Sequence, residues 1–407
     1  MSALPRMPRP LRPASGVTLI EMMVALVVAL MLSAAVFGVL KVAEGRKRTL
    51  TTVNDINQSG NYALYLIDKW VRSAGSGFVQ AASYAYGCPL YAYSSQGGQV
   101  LPRTAAVAAP FDSVVSQFGA SFRLAPVLIL PGATTPGVSG KTSDALVLMA
   151  ASSGAANLPV SFTGFATSSS TAATLPLSST QGLSGSDLLL LADRQGTGTG
   201  AAACMVQQVA AGFTGGSSTT APLGGSYFAD AIGSQSLGAL TGDAVAMNLG
   251  NITNGNPPQF LLVGVGDHNV LYTYDLLQAA TEPLQQRAEG VFELHALYGV
   301  DLDGDGKLSS TEWVSPAADA YAPAALAAGT TAANVLLQRI KAVRVGLILR
   351  TSLPERAGSA QAPGATSATL FADTAWSFTR PFTGDELNYR YRTLELTIPV
   401  RNNLLLN

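Results

Sequence analysis

Charge is scarce in this chain. Of 407 residues only 12% are charged, with 24 Lys and Arg against 25 Asp and Glu, a formal net charge of -1. There is no basic surplus for nucleic acid and no acidic surplus of the kind that keeps a chain disordered. Histidine occurs twice and cysteine twice. Cys88 and Cys204 form neither a CxxC pair nor a zinc-ligand pattern. No GxSxG, Walker A loop or HExxH occurs, so nothing marks a serine hydrolase, a P-loop NTPase or a zinc protease. The run from Gly196 to Gly200 reads as a flexible loop. His268 sits in a Gly-Asp-His-Asn turn and His295 in an expected strand, and both read as structural residues. The residues give no argument for an enzyme. Proline is absent between Pro13 and Pro89, which leaves room for one long helix.

What is present begins at the N-terminus. Residues 1–16 carry Arg6, Arg9 and Arg12 and no acid. Met22 to Leu40 is an uncharged, mostly apolar run. As a helix it is roughly 28 Å long, about the thickness of a bilayer's hydrocarbon core. The basic leader should stay in the cytoplasm, placing the bulk of the chain outside the inner membrane. A secretory signal peptide is a poorer description, because its apolar core is shorter and ends in a small-residue cleavage site. Glu21 stands four residues into an otherwise apolar stretch that begins at Val17, where an unpaired acid costs several kcal/mol and therefore points to function.

Gly16-Val17-Thr18-Leu19-Ile20-Glu21 resembles the prepilin peptidase site of type IV pilins and pseudopilins. The resemblance implies cleavage between Gly16 and Val17 and methylation of the new N-terminal residue. It also implies that Glu21 pairs with the amine of a neighbouring subunit during assembly. Many pilins have Phe where this chain has Val17. Further segments narrow the likeness to PilW-type minor pilins. They are Trp70-Val71-Arg72-Ser73-Ala74-Gly75 with Gly87-Cys88, Leu297-Tyr298-Gly299-Val300-Asp301, Val343 to Arg350, and Val400-Arg401-Asn402.

Downstream of the apolar run, Leu50, Val53, Ile56, Ala63, Leu66, Ile67, Trp70 and Ala74 recur at helical spacing. Val17 to Ala74 is therefore expected as one helix of roughly 87 Å, with residues 17–42 in membrane or filament core and the second half packed on a sheet. Gly60 is expected to loosen it locally. Trp70, Trp313 and Trp376 read as core residues. Residues 75–407 are expected to form a β-rich globular domain. Candidate strands are 145–150, 188–192, 205–209, 244–248, 260–265, 270–274, 292–298, 343–350 and 389–400. Alternation along 343–350 and 390–398 predicts antiparallel sheet with one wetter face. The Ser/Thr/Gly/Ala-rich tract 152–240 is expected to be a loop-rich insertion with few strands.

Asp301 to Glu312 matches D-x-D-x-D-G-x5-E in full. Calcium takes six to eight oxygens. In this pattern Asp301, Asp303 and Asp305 supply side-chain oxygens, Lys307 a backbone carbonyl, Ser309 a water-mediated contact and Glu312 two oxygens. Gly306 permits the turn, and Leu308 supplies the apolar anchor. The plainer alternative is an Asp/Gly turn. Because the preceding segment alternates like a strand, an isolated loop is expected rather than helix–loop–helix, used as a structural clamp. Outside the cytoplasm a Cys88–Cys204 disulfide is expected to tie the start of the globular domain to a mid-chain strand. The alternative is two separate buried thiols.

The fold class expected is α+β and pilin-like: a long N-terminal helix laid on antiparallel sheet, with an enlarged β-rich head. The resemblance implies a minor pilin that primes pilus assembly, at the tip. Its expected partners are other minor pilins, the major pilin, the prepilin peptidase, the inner-membrane assembly platform and a tip adhesin. The expected location is a single pass of the inner membrane with the head in the periplasm, then the pilus surface. A minor pseudopilin of a type II secretion system and a calcium-dependent adhesin on a pilin stem remain the alternatives.

Overall fold

The computed structural model describes residues 16–103, 105–117, 122–136, 141–154, 158–195, 202–278, 283–355 and 363–406. The leader before Gly16 and the 196–200 loop lie outside the described residues. Two compact units divide between Thr52 and Val53. The architecture is α+β: one long helix, Leu19–Ser73, followed by a β-rich region.

The helix forms because nothing between Pro13 and Pro89 breaks it. In the first unit its apolar side chains, from Val17 to Val42, are exposed. Leu50 is exposed as well, so the buried stripe starts later than the spacing predicts. In the second unit Ile56, Ala63, Ile67, Trp70 and Val71 are buried and join the main core. Gly60 does not loosen the helix. It is buried, and a Cβ there would stand 2.2 Å from Leu349 Cδ1, so this glycine lets the helix lie close against the sheet.

That sheet has four strands in the order Trp313–Val314, Val291–Val300, Ile340–Arg350 and Tyr391–Pro399, all antiparallel. Beside it, a five-stranded antiparallel sheet orders Gln285–Glu289, Val270–Asp275, Gln259–Gly266, Ser143–Ala150 and Val127–Thr134. The wetter face expected on 343–350 is not there. Val343, Val345, Leu347 and Leu349 enter the main core, while Ile348 on the other face enters a second cluster with Phe292, Leu370, Phe371 and Phe382. A hairpin, Ser367–Leu370 paired with Phe378–Pro381, supplies that cover. Only the outer strand, Tyr391–Pro399, keeps exposed positions, at Arg392, Thr393, Glu395 and Thr397.

The tract 152–240 departs most from expectation. It contains eight strands among the described residues, from Val160–Ser161 to Gln235–Ser236, and is not loop-rich with few strands. Three of its strands, Val160–Ser161, Asp187–Asp193 and Cys204–Gln208, sit in a six-stranded sheet with Leu90–Ser94 and Ala244–Asn251. The Leu90–Ser94 pairing with Cys204–Gln208 is parallel, so the β region is not wholly antiparallel. Leu188, Leu190 and Ala192 face the main core, whereas Leu189 and Leu191 face a separate core with Leu175, Leu177, Met205 and Leu223. A strand buried on both faces reads as an unbroken apolar run, as Leu188 to Ala192 does.

Candidate functional site

The N-terminal motif is built by the start of the long helix. Gly16 has no atoms within 4 Å of where a Cβ would stand, and Val17 is exposed. Thr18 caps the helix. Its N–H and hydroxyl donate to Glu21 Oε2 at 2.9 and 2.8 Å, and Glu21 N–H donates back to Thr18 Oγ1 at 3.3 Å. This is a reciprocal capping box, and its T-x-x-E signature was available in the sequence. Within one chain, then, Glu21 already has a hydrogen-bonding partner at the helix end.

The acidic loop connects Val291–Val300 to the short strand Trp313–Val314, which folds back with Tyr298 opposite Val314. It is a loop between antiparallel strands, with no helix before it. Gly304 and Gly306 take φ of 80° and 76°, the left-handed turn that glycine allows. Gly304 and Gly306 N–H groups donate to the two oxygens of Asp301 at 2.7 and 3.1 Å. Lys307 N–H donates to Asp305 Oδ1 at 2.7 Å. Backbone amides thereby fix the carboxylates. Leu308 is half-buried and packs on Gly299, where a Cβ would meet its Cδ1 at 2.8 Å.

Carboxylate oxygens of Asp301, Asp303 and Asp305 lie within 4.8 Å of one another. Two oxygens on one calcium, each about 2.3–2.6 Å from it, stand at most about 5 Å apart, so these three fit a single ion. Glu312 is not in that group. Its Oε1 accepts from Leu302 N–H at 2.9 Å and its Oε2 from Ser309 N–H at 2.7 Å. The Ser309 and Leu302 amides hold its carboxyl below the usual range. Instead of closing the acidic group, Glu312 staples the two ends of the loop. Ser309 Oγ pairs with Thr311 Oγ1 at 3.0 Å.

Cys88 and Cys204 are joined as a disulfide, both fully buried, across 116 residues of chain. His268 is exposed in its turn. His295 is buried between Asp144 and Glu293, at 3.7 and 3.3 Å, with its ring against Phe378. Burial by itself would lower its pKa, but the two carboxylates carry it up to about 9. Glu293 also accepts from Arg380 Nε at 2.6 Å, and Arg380 from the other side holds Glu386. Glu293 and His295 share a strand, but Asp144, Arg380 and Glu386 come from elsewhere in the chain, so no sequence spacing signals this cluster. Trp70 is a core residue, but Trp376 is 42% exposed, with its indole N–H donating to the Trp313 carbonyl.

Residues 11–37 match the family described as the prokaryotic N-terminal methylation motif. Residues 260–402 match type IV pilus-assembly protein W, over the strands that build the four-stranded sheet and the acidic loop. The two matches support a type IV pilin-like protein of the PilW type. No curated protein and no solved structure matches the chain. The two family matches point to a minor pilin, a structural component that works with other parts of a pilus. Its exposed apolar helix fits membrane anchoring and burial in a filament.

Proposed function

We propose that this PilW-type protein primes type IV pilus assembly with other minor pilins and is carried at the pilus tip. The observation that carries this reading is the coincidence, in one chain, of the methylation motif on an exposed apolar helix with the PilW region. The prepilin peptidase cuts between the exposed Gly16 and Val17. Glu21 then exchanges part of its bonding to Thr18 for the freed amine of a neighbouring subunit, which offsets the cost of a carboxylate in an apolar setting. The basic leader keeps the N-terminus cytoplasmic and the head periplasmic, where it meets the assembly platform and the major pilin. The bulk of the unit from Val53 onward suits a tip position better than a densely repeated shaft. A tip adhesin is the partner that such a position offers.

We further propose that the loop at Asp301, Asp303 and Asp305 holds calcium as a structural clamp between its two strands. The Lys307 carbonyl and, through water, Ser309 add two more oxygens, and Glu312 ties the loop shut. The cation would neutralise carboxylates that otherwise repel each other.

Deletion of the gene should leave few or no surface pili by electron microscopy, with recovery by the wild type and not by Glu21→Ala. Normal pilus numbers would sink the priming role and move the reading to a pseudopilin, for which exoprotein secretion is the next assay. Calorimetry on the full-length protein in detergent should show one calcium site that Asp303→Ala removes. An unchanged titration curve for the variant would refute the clamp.

A further inference from the structure

Beside the acidic loop lies a cavity of about 570 Å³. Asp301, Asp305, Arg339 and Lys341 line it, and Val335 and Leu404 add aliphatic carbon to the lining. The volume falls in the range of small-ligand sites. Lys341 is fixed, its Nζ donating to the Asn403 and Leu406 carbonyls at 3.0 and 2.6 Å. Arg339 is exposed, and its guanidinium forms no ion pair among the described residues.

We propose that this cavity binds a small organic carboxylate, and that it does so only when the loop holds its cation. The proposal rests on the calcium reading above. Two physical arguments lead to it. The first concerns coordination. Calcium takes six to eight oxygens. The structure gathers three carboxylates and diverts Glu312 to two backbone amides. Coordination positions are therefore left for outside oxygens, and the cavity that Asp301 and Asp305 share is the place from which they can come. The second concerns charge. In the cavity lining Asp301 and Asp305 balance Arg339 and Lys341, so without a cation it has no net pull on an anion. A divalent cation makes it net positive. Arg339 then presents a planar fork that matches a carboxylate, while Val335 and Leu404 cover the ligand's carbon skeleton. A uronic acid and an acidic amino acid share this chemistry.

The test is calorimetry on the full-length protein in detergent, first with calcium chloride alone. Galacturonate and N-acetylglutamate are then titrated separately, with calcium and with chelator. At least one should bind the calcium-loaded protein and neither the chelated form, and which one binds identifies a sugar or a peptide source. Arg339→Gln should weaken that binding roughly tenfold to a hundredfold, the loss of one charge-assisted contact, while the calcium titration stays as in the wild type and so reports intact folding. A calcium site with no heat from either carboxylate overturns the cavity inference and leaves the clamp standing. Binding that ignores calcium, or that ignores Arg339→Gln, overturns it too. Failure to bind calcium removes both proposals at once.

Discussion

His295 shows how much a single buried side chain depends on its neighbours. Burial penalises the imidazolium, yet Asp144 on one side and Glu293 on the other keep it charged well past neutrality. Glu293 in turn is shared with Arg380, whose other face holds Glu386. The folded pKa of about 9 lies above the ordinary value of 6.5, so protonation favours the folded state. That contribution is fully present below about pH 6.5 and is lost as the pH rises through about 9. Denaturant midpoints measured from pH 6 to 10 should fall across that window in the wild type, and the fall should flatten in His295→Gln. A wild-type midpoint that stays constant over the same range would show that the carboxylates do not hold the proton.

Among the elements, the second half of the long helix is set by one small residue. In an exposed helix Gly→Ala is favourable by roughly 0.5–1 kcal/mol. At Gly60 the added methyl would meet Leu349, which is fully buried, and then Leu394. Overpacking of this kind costs about 1–3 kcal/mol and outweighs the helix gain. Gly60→Ala should therefore destabilise the protein by about 1 kcal/mol in urea unfolding, and a stabilised variant would mean that the helix and sheet are less closely packed than described. The sequence announced this helix, its apolar stripe and nine of the strands, because periodicity of 3.6 and 2 is a local property. It gave no sign that Gly60 is a contact point, since contact depends on what lies opposite. For the same reason the second face of Ile340–Arg350 read as wet: the hairpin that covers it lies beyond Ser367 in the chain.

At the scale of the whole molecule, the head is held by strands that serve two cores and by one covalent link. Asp187–Asp193 sends alternate leucines into the main core and into the core of the 152–240 tract, so the tract is folded against the head rather than appended to it. The Cys88–Cys204 bond fixes the same junction. Closing a 116-residue loop constrains the unfolded chain, and the Cys88→Ser/Cys204→Ser double variant should lose ~2–5 kcal/mol in thermal or denaturant unfolding. Equal stability of the variant and the oxidised wild type would show that strand pairing alone secures the junction. Composition hid this arrangement, because short strands such as Val160–Ser161 and Thr167–Ser168 look like loop in a Ser/Thr-rich background.

The sequence by itself determined the N-terminal motif, the unbroken helix and the acidic loop. Each depends on residues a few positions apart, where backbone geometry fixes what meets what. Only the tertiary structure decided which leucine faces which core, and that Asp144 is brought against His295 from a strand some 150 residues earlier. Those outcomes depend on segments far apart in the chain, brought together by burial of apolar surface, a force that is strong but carries no sequence address.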